Sequence, residues 1–173
     1  MNLADRARGI QAVVFDVDGV LTDGTFGYAG GGSEIKFFSA RDGHGIKLLR
    51  RAGLRVGILS GRSSDANLRR AEELGLDFVY QGEKDKGEAF VRLLREQNLS
   101  AEHCLYVGDD VVDMPVMRQA GVSVAVADAE PEVVATADWQ TQAPGGHGAA
   151  REVARWILQQ QGKWETVMER YAG

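Results

Sequence analysis

Short β-branched runs alternate with helical stretches along most of the chain, a pattern that predicts a parallel sheet covered by helices, an α/β, Rossmann-like architecture. Residues 10–15 carry Ala12, Val13 and Val14 as a near-continuous apolar run, as expected of a strand buried on both faces. Similar runs at 54–59, 78–80, 104–107 and 122–126 predict four further strands. A helix after Asp42 places Ile46, Leu48 and Leu49 at helical spacing and ends near Gly53. Ser64 and Asp65 open another, which carries Leu68, Ala71 and Leu74 and stops at Gly75. A third covers about 86–97 with Ala89, Phe90, Leu93 and Leu94 inward, and a late one holds Val153, Trp156, Ile157 and Leu158.

Two segments break this rhythm. Residues 24–39 read as two extended runs around a Gly-rich turn, which predicts a β-hairpin inserted after the first strand. Its aromatics, Phe26, Tyr28, Phe37 and Phe38, are too many for an isolated ribbon, so they pack on the body or on another subunit. The second break, 143–148, contains Pro144 and three glycines in the four residues from Gly145. It is either a plain connector or a moving lid. The tail beyond Gln161, with Trp164, Val167, Met168 and Tyr171, reads as a weak amphipathic helix or a docking arm.

Composition narrows the class. The length of 173 residues fits one domain over 1–173, and 44% hydrophobic with 26% charged residues suits a soluble protein with a real core. A net charge of -5 with scattered Lys and Arg argues against binding to nucleic acid or an anionic membrane. The single Cys104 cannot form an internal disulfide, and the N-terminus carries no apolar targeting run. A cytoplasmic location is the expectation.

Chemistry concentrates where strands end, which is where open parallel sheets bind ligands. Directly after the first strand comes Asp16-Val17-Asp18-Gly19-Val20-Leu21-Thr22-Asp23-Gly24. Two carboxylates one residue apart suit cation binding, nucleophilic attack and proton transfer; alone, they are also compatible with an Asp-rich turn. Ser60-Gly61-Arg62 follows the second strand with a hydroxyl and N–H groups suited to phosphate oxygens. Lys86 opens a helix after the third strand, and Asp109, Asp110 and Asp113 follow the fourth. Acid, hydroxyl, lysine and acid at four strand ends form a specific constellation for phosphoryl transfer.

With these residues, the chain resembles the haloacid dehalogenase superfamily. Within it, residues 10–164 resemble the 3-deoxy-D-manno-octulosonate 8-phosphate phosphatases, through DVDGVLTDG at 16–24, ARDGHGIKLL at 40–49, LSGR at 59–62, VGDDVVDMPVM at 107–117, AVADA at 125–129 and GGHGAAREV at 145–153. The resemblance implies Asp16 as nucleophile forming an aspartyl-phosphate, and Asp18 as acid and then base. It implies Mg²⁺ between the Asp16 carboxylate, the Asp18 backbone carbonyl and Asp109. Ser60 and Lys86 would hold the phosphoryl oxygens, while Asp110 and Asp113 would orient Lys86, the metal or its waters.

The same resemblance implies that Asp18, Ser39, Ala40, Arg41, Asp42, Gly43, Lys47, Arg62, Arg70 and Lys86 bind a phosphorylated sugar acid. Surface ion pairing remains the plainer alternative for Arg41 and Arg70. His44, His103 and His147 lack metal-ligand spacing and receive no catalytic role. No space for a cap domain exists after the first or third strand. Capless relatives use the hairpin to build tetramers in which a neighbour covers the site, so a homotetramer is implied. The rival readings are a phosphatase for a nine-carbon, sialic-acid-like 9-phosphate and a non-catalytic binding subunit; the latter would normally have lost one of the four signatures.

Overall fold

In the computed structural model, which describes residues 2–172, every apolar run predicted as a strand is one, and all pair in parallel. The chain order begins α1 (Leu3–Arg8), β1 (Ala12–Phe15), the hairpin strands β2 (Gly27–Tyr28) and β3 (Glu34–Ile35), α2 (Ala40–Arg51), β4 (Arg55–Leu59), α3 (Asp65–Leu74) and β5 (Phe78–Tyr80). It continues α4 (Lys86–Gln97), β6 (Cys104–Gly108), α5 (Met114–Met117), β7 (Val122–Ala125), α6 (Pro131–Thr136), β8 (Trp139–Gln140), α7 (Ala149–Gln160) and α8 (Trp164–Met168). Among the described residues one six-stranded sheet runs β5-β4-β1-β6-β7-β8, with β2-β3 as a separate antiparallel pair. Leaving the hairpin aside, this is the doubly wound order, which reverses between β1 and β6. Successive connections leave that point toward opposite faces, so a crevice opens beyond the carboxyl ends of the two strands. Both acidic segments emerge there.

Strand alternation sorts the core into two layers. Val13, Phe15, Leu105 and Val107 face Leu48 and Leu49 of α2 and Val153 and Ile157 of α7. Ala12, Val14 and Tyr106 face Phe90 and Leu93 of α4, with Val116 and Val133 beyond. Burial of each such large side chain contributes about 1.5–3 kcal/mol, and the two layers hold the strand ends in register.

Local differences from the sequence reading have identifiable causes. The helix expected after Asp42 begins at Ala40, because the Ser39 side chain accepts a hydrogen bond from the Asp42 N–H (3.2 Å) and caps it. Ala71 and Leu74 of α3 are buried, but Leu68 faces solvent. The unpredicted α1, α6 and β8 are six residues or fewer, too short to show a hydrophobic period. The tail folds back on its own chain. Trp164 lies under the Arg151 and Arg155 guanidinium groups at 5.6 and 4.9 Å, and the Tyr171 hydroxyl meets His44 Nε2 at 2.9 Å.

The 143–148 loop is seated on the loop that follows β1. Gly145 donates to Asp128 (2.9 Å) and Gly146 to the Val20 carbonyl (2.9 Å). A side chain at Gly145 would collide with the Gly19 carbonyl oxygen, so glycine there permits close backbone approach.

Candidate active site

The site is built where β1, β4, β6 and the start of α4 meet. Lys86, at the first position of α4 with Asp85 as N-cap, is buried and reaches Asp16 Oδ1 at 2.9 Å and Asp113 Oδ1 at 2.7 Å. Tyr106, facing the α4 layer from β6, donates its hydroxyl to the same Asp113 oxygen at 2.6 Å. The other Asp113 oxygen accepts the backbone N–H groups of Asp109 (3.0 Å) and Asp110 (3.3 Å). Asp113 is therefore fully occupied: it fixes Lys86 and shapes the turn that presents Asp109. Asp110 is exposed, and its side chain accepts from the Val111 N–H (2.6 Å). Ser60 is buried at the end of β4, its hydroxyl accepting from the Arg62 N–H (3.3 Å).

Electrostatics here are strained toward cation binding. Burial, reinforced by the Asp113 charge and only partly offset by Lys86, raises Asp16 to about 7. Burial, followed by the Asp16 and Asp113 charges, raises Asp109 to about 8. Burial lowers the Lys86 pKa, but the Asp16 and Asp113 carboxylates outweigh it and hold the ammonium above its usual range. Asp16, Asp109 and Asp113 offer oxygens that all lie within 4.8 Å of one another. Asp109 Oδ1 is buried with no hydrogen-bond partner. With Asp113 committed, Asp16 and Asp109 are the side chains that fit a hard, oxygen-seeking divalent cation. Gly19, at φ 94°, leaves room for Asp109, whose carboxylate a side chain at 19 would strike.

Asp18 faces a different cation. Lys36, immediately after β3, places Nζ 2.7 Å from Asp18 Oδ1 and 2.9 Å from Oδ2. Glu34 lies 3.7 Å from the same ammonium and pairs with Arg62, whose guanidinium sits 4.1 Å from the centre of the Phe26 ring. The sequence reading missed Lys36 and Glu34. The available signal was period-2 alternation in Glu34-Ile35-Lys36-Phe37, which puts the two charges on one face. The usual polarity is inverted: Lys36 is buried, while Ile35 and Phe37 are 44% and 77% exposed.

The residues expected to bind substrate divide into groups. Ser39 and Arg41 line an open hollow of about 420 Å³ with Asp23, Phe37, Phe38, Gly146 and His147, room enough for a sugar-sized ligand. Arg70 reaches the Ser39 carbonyl (3.0 Å) and packs over Phe38, with Gly43 buried beneath it and Ala40 exposed on the first turn of α2. Asp42 is committed elsewhere. Its buried carboxylate accepts from Gly148 N–H (3.0 Å) and Arg151 N–H (2.9 Å), anchoring the start of α7. Lys47 lines a separate hollow with Arg50, Arg51 and Leu74. His44 bridges the Tyr171 hydroxyl and the Arg151 guanidinium, and its pKa is lowered by burial and the surrounding cations.

A family model for haloacid dehalogenase-like hydrolases matches residues 41–121. The 3-deoxy-D-manno-octulosonate 8-phosphate phosphatase KdsC of Escherichia coli K12 is 42% identical over 158 residues, covering 91% of this chain and 84% of that protein. A probable YrbI family phosphatase from Pseudomonas syringae pv. phaseolica superposes with a TM-score of 0.95 at 44% identity, over 99% of this chain and 97% of the other. The Moraxella catarrhalis 3-deoxy-D-manno-octulosonate 8-phosphate phosphatase, solved with magnesium ion, phosphate ion and KDO, gives 0.93 at 36% identity over 97% of each chain. Fold, strand-end chemistry and these likenesses define the class, a haloacid dehalogenase-like hydrolase of phosphoric monoesters. Within that class, the chain belongs to the family of 3-deoxy-D-manno-octulosonate 8-phosphate phosphatases.

Proposed function

We propose that this protein hydrolyses 3-deoxy-D-manno-octulosonate 8-phosphate to the free sugar acid and phosphate, with Mg²⁺, through an aspartyl-phosphate on Asp16, in lipopolysaccharide precursor synthesis. The observation that carries the reading is buried Asp16 and half-buried Asp109 at the β1/β6 crevice, with oxygens within 4.8 Å of one another, Lys86 2.9 Å from Asp16 and Ser60 buried at the neighbouring strand end. An Asp16 oxygen attacks phosphorus as the bond to the sugar oxygen breaks, and Asp18 delivers a proton to that oxygen. Asp18 then takes a proton from the water that hydrolyses the acyl-phosphate. Lys86 and Ser60 hold the phosphoryl oxygens, where transition-state charge spreads. Asp16, the Asp18 backbone carbonyl and Asp109 would hold Mg²⁺, which would supply the positive charge that offsets repulsion between carboxylate and phosphate.

Arg41 and Ser39, which line the hollow, receive the sugar acid together with Arg70 behind Ser39 and Phe38 and Arg62 beside the hairpin; a guanidinium suits its carboxylate because the contact is bidentate. Exposed Phe26, Tyr28, Ile35 and Phe37 give the hairpin an apolar outer face, which supports a homotetramer whose neighbours cover the site. Among the described residues no helix is long and apolar enough to cross a membrane, compatible with work in the cytoplasm. The test is phosphate release from a matched panel of sugar-acid phosphates, with Mg²⁺ and with chelator. Preference for the eight-carbon 8-phosphate is expected. Preference for a nine-carbon 9-phosphate would replace the substrate, and no metal-dependent release from any ester would refute the phosphatase reading.

A further inference from the structure

We propose that Lys36 is a positioning residue for the reaction, a hairpin-borne cation that aims the Asp18 carboxylate at the leaving oxygen. The proposal rests on the phosphatase reading above and adds to it a residue outside the four strand-end signatures. Asp18 lies on the mobile side of chemistry: unlike Asp16, it must exchange a proton with substrate and then with water. Among the described residues the one side chain that hydrogen-bonds its carboxylate is Lys36, which donates to Oδ2 at 2.9 Å and lies 2.7 Å from Oδ1, a buried oxygen that accepts no hydrogen bond. The Lys36 side chain is wholly buried, at 0% exposure, and Asp18 retains 18%.

Burying a lysine against an acid is a weak source of stability, because desolvation offsets most of the attraction. An apolar residue would serve packing better at position 36, yet the strand turns its apolar Ile35 and Phe37 outward and its charges in. That inversion selects a grip on Asp18 over hydrophobic burial. Glu34, on the same face, holds the ammonium from behind at 3.7 Å and is itself tied to Arg62. The resulting chain, Arg62 to Glu34 to Lys36 to Asp18, alternates in charge and fixes the hairpin at a defined height over the site. In the step it serves, the Asp16–phosphorus bond forms, the phosphorus–oxygen bond to the sugar breaks, and the proton on Asp18 passes to the departing oxygen. Misaiming Asp18 slows this step only when the leaving oxygen needs that proton.

Leaving-group dependence separates this role from a merely structural one. Lys36→Met and Lys36→Arg would be compared with the unaltered protein in kcat/KM, which reports phosphoryl transfer to Asp16. The substrates are a sugar 8-phosphate, whose alkoxide leaves poorly, and 4-nitrophenyl phosphate, whose phenolate leaves unaided. Lys36→Met should lower kcat/KM for the sugar ester about 100-fold, in the range that general acid catalysis supplies, and for the aryl ester less than about fivefold. Lys36→Arg keeps the charge and the fold but changes reach, and should show the same selective loss at smaller size. The rise in melting temperature on adding Mg²⁺ should be unchanged in both variants, since Asp16 and Asp109 are untouched. Equal losses on both esters, or none on the sugar ester, would overturn the assignment to Lys36. An unaltered protein that turns over neither ester with Mg²⁺ would overturn the phosphatase reading itself, before any variant is made.

Discussion

Asp16 and Asp18 stand two residues apart on one loop, yet each meets a lysine from a different part of the molecule. Asp16 is held by Lys86, which sits on a 12-residue helix of the body and shares its charge with Asp113. Asp18 is held by Lys36, which sits beside a strand of two residues on a ribbon whose outer face is exposed. The first pair is locked by packing on every side and by Tyr106 behind it. The second depends on how a hairpin is laid against the loop. In the proposed mechanism the contrast matches two tasks: the nucleophile is held by the sheet-and-helix body, whereas the acid/base group takes its partner from the hairpin. It also separates what should be lost when either side is disturbed.

The largest effect should come from the body side. Lys86→Met leaves Asp16 and Asp113 as buried carboxylates without a cation, which costs about 3–5 kcal/mol of stability and removes the charge that steadies the transferring phosphoryl group. Denaturant melts should show a greater loss at pH 8 than at pH 5, because protonation relieves the stranded charges, and Mg²⁺-dependent turnover should fall by about 100-fold or more. Lys36→Met should cost less stability, about 1–2 kcal/mol, because Asp18 can turn to water. A reversed ranking would mean that the hairpin, and not the body, organises the site.

Metal and pH provide the intermediate test. Asp16 is raised to about 7 and Asp109 to about 8, from an ordinary value of 3.8. Between roughly pH 4 and pH 8 the metal-free folded chain therefore holds protons that the unfolded chain has released, so stability falls as pH rises through that window. A divalent cation binds the deprotonated carboxylates. Its stabilisation, read as the shift in melting temperature between chelator and Mg²⁺, should be larger at pH 8 than at pH 5. Removing Asp109 as a carboxylate, by Asp109→Asn, should abolish most of this difference.

The smallest effect should lie on the hairpin's outer face. Phe37 is 77% exposed, so Phe37→Ser should change the stability of a monomer by no more than about 0.5 kcal/mol. Light scattering of the same variant tests whether that face joins subunits: a shift from tetramer to monomer is the expected result. An unchanged tetramer would place the subunit contacts elsewhere.

Much of the fold and the strand-end chemistry was legible because the signals are local and repeated. Each strand announces itself in a few β-branched residues, and Asp16, Ser60, Lys86 and Asp109 follow strand ends directly. Short elements such as α1 and β8 gave no periodic signal, and Leu68 satisfied helical spacing while facing solvent. Asp42 belongs to the 39–43 segment that the family resemblance assigns to substrate binding. What no local signal shows is that its carboxylate receives the N–H groups of Gly148 and Arg151, more than a hundred residues away.

By itself, then, the sequence determined the doubly wound sheet, the strand ends that carry acid, hydroxyl, lysine and acid, and the family to which those motifs point. Hydrophobic period and turn chemistry act over a few residues, and the rules of strand connection carry them to a topology. Only the tertiary structure decided that Asp113 is spent on Lys86 and Tyr106, that Asp109 keeps a buried oxygen free, that Asp42 anchors α7, and that Lys36 comes down on Asp18. Each of these is a pairing between groups distant in sequence or a matter of which lone pairs remain unused. Their geometry follows from how whole layers pack, and no window of neighbouring residues contains it.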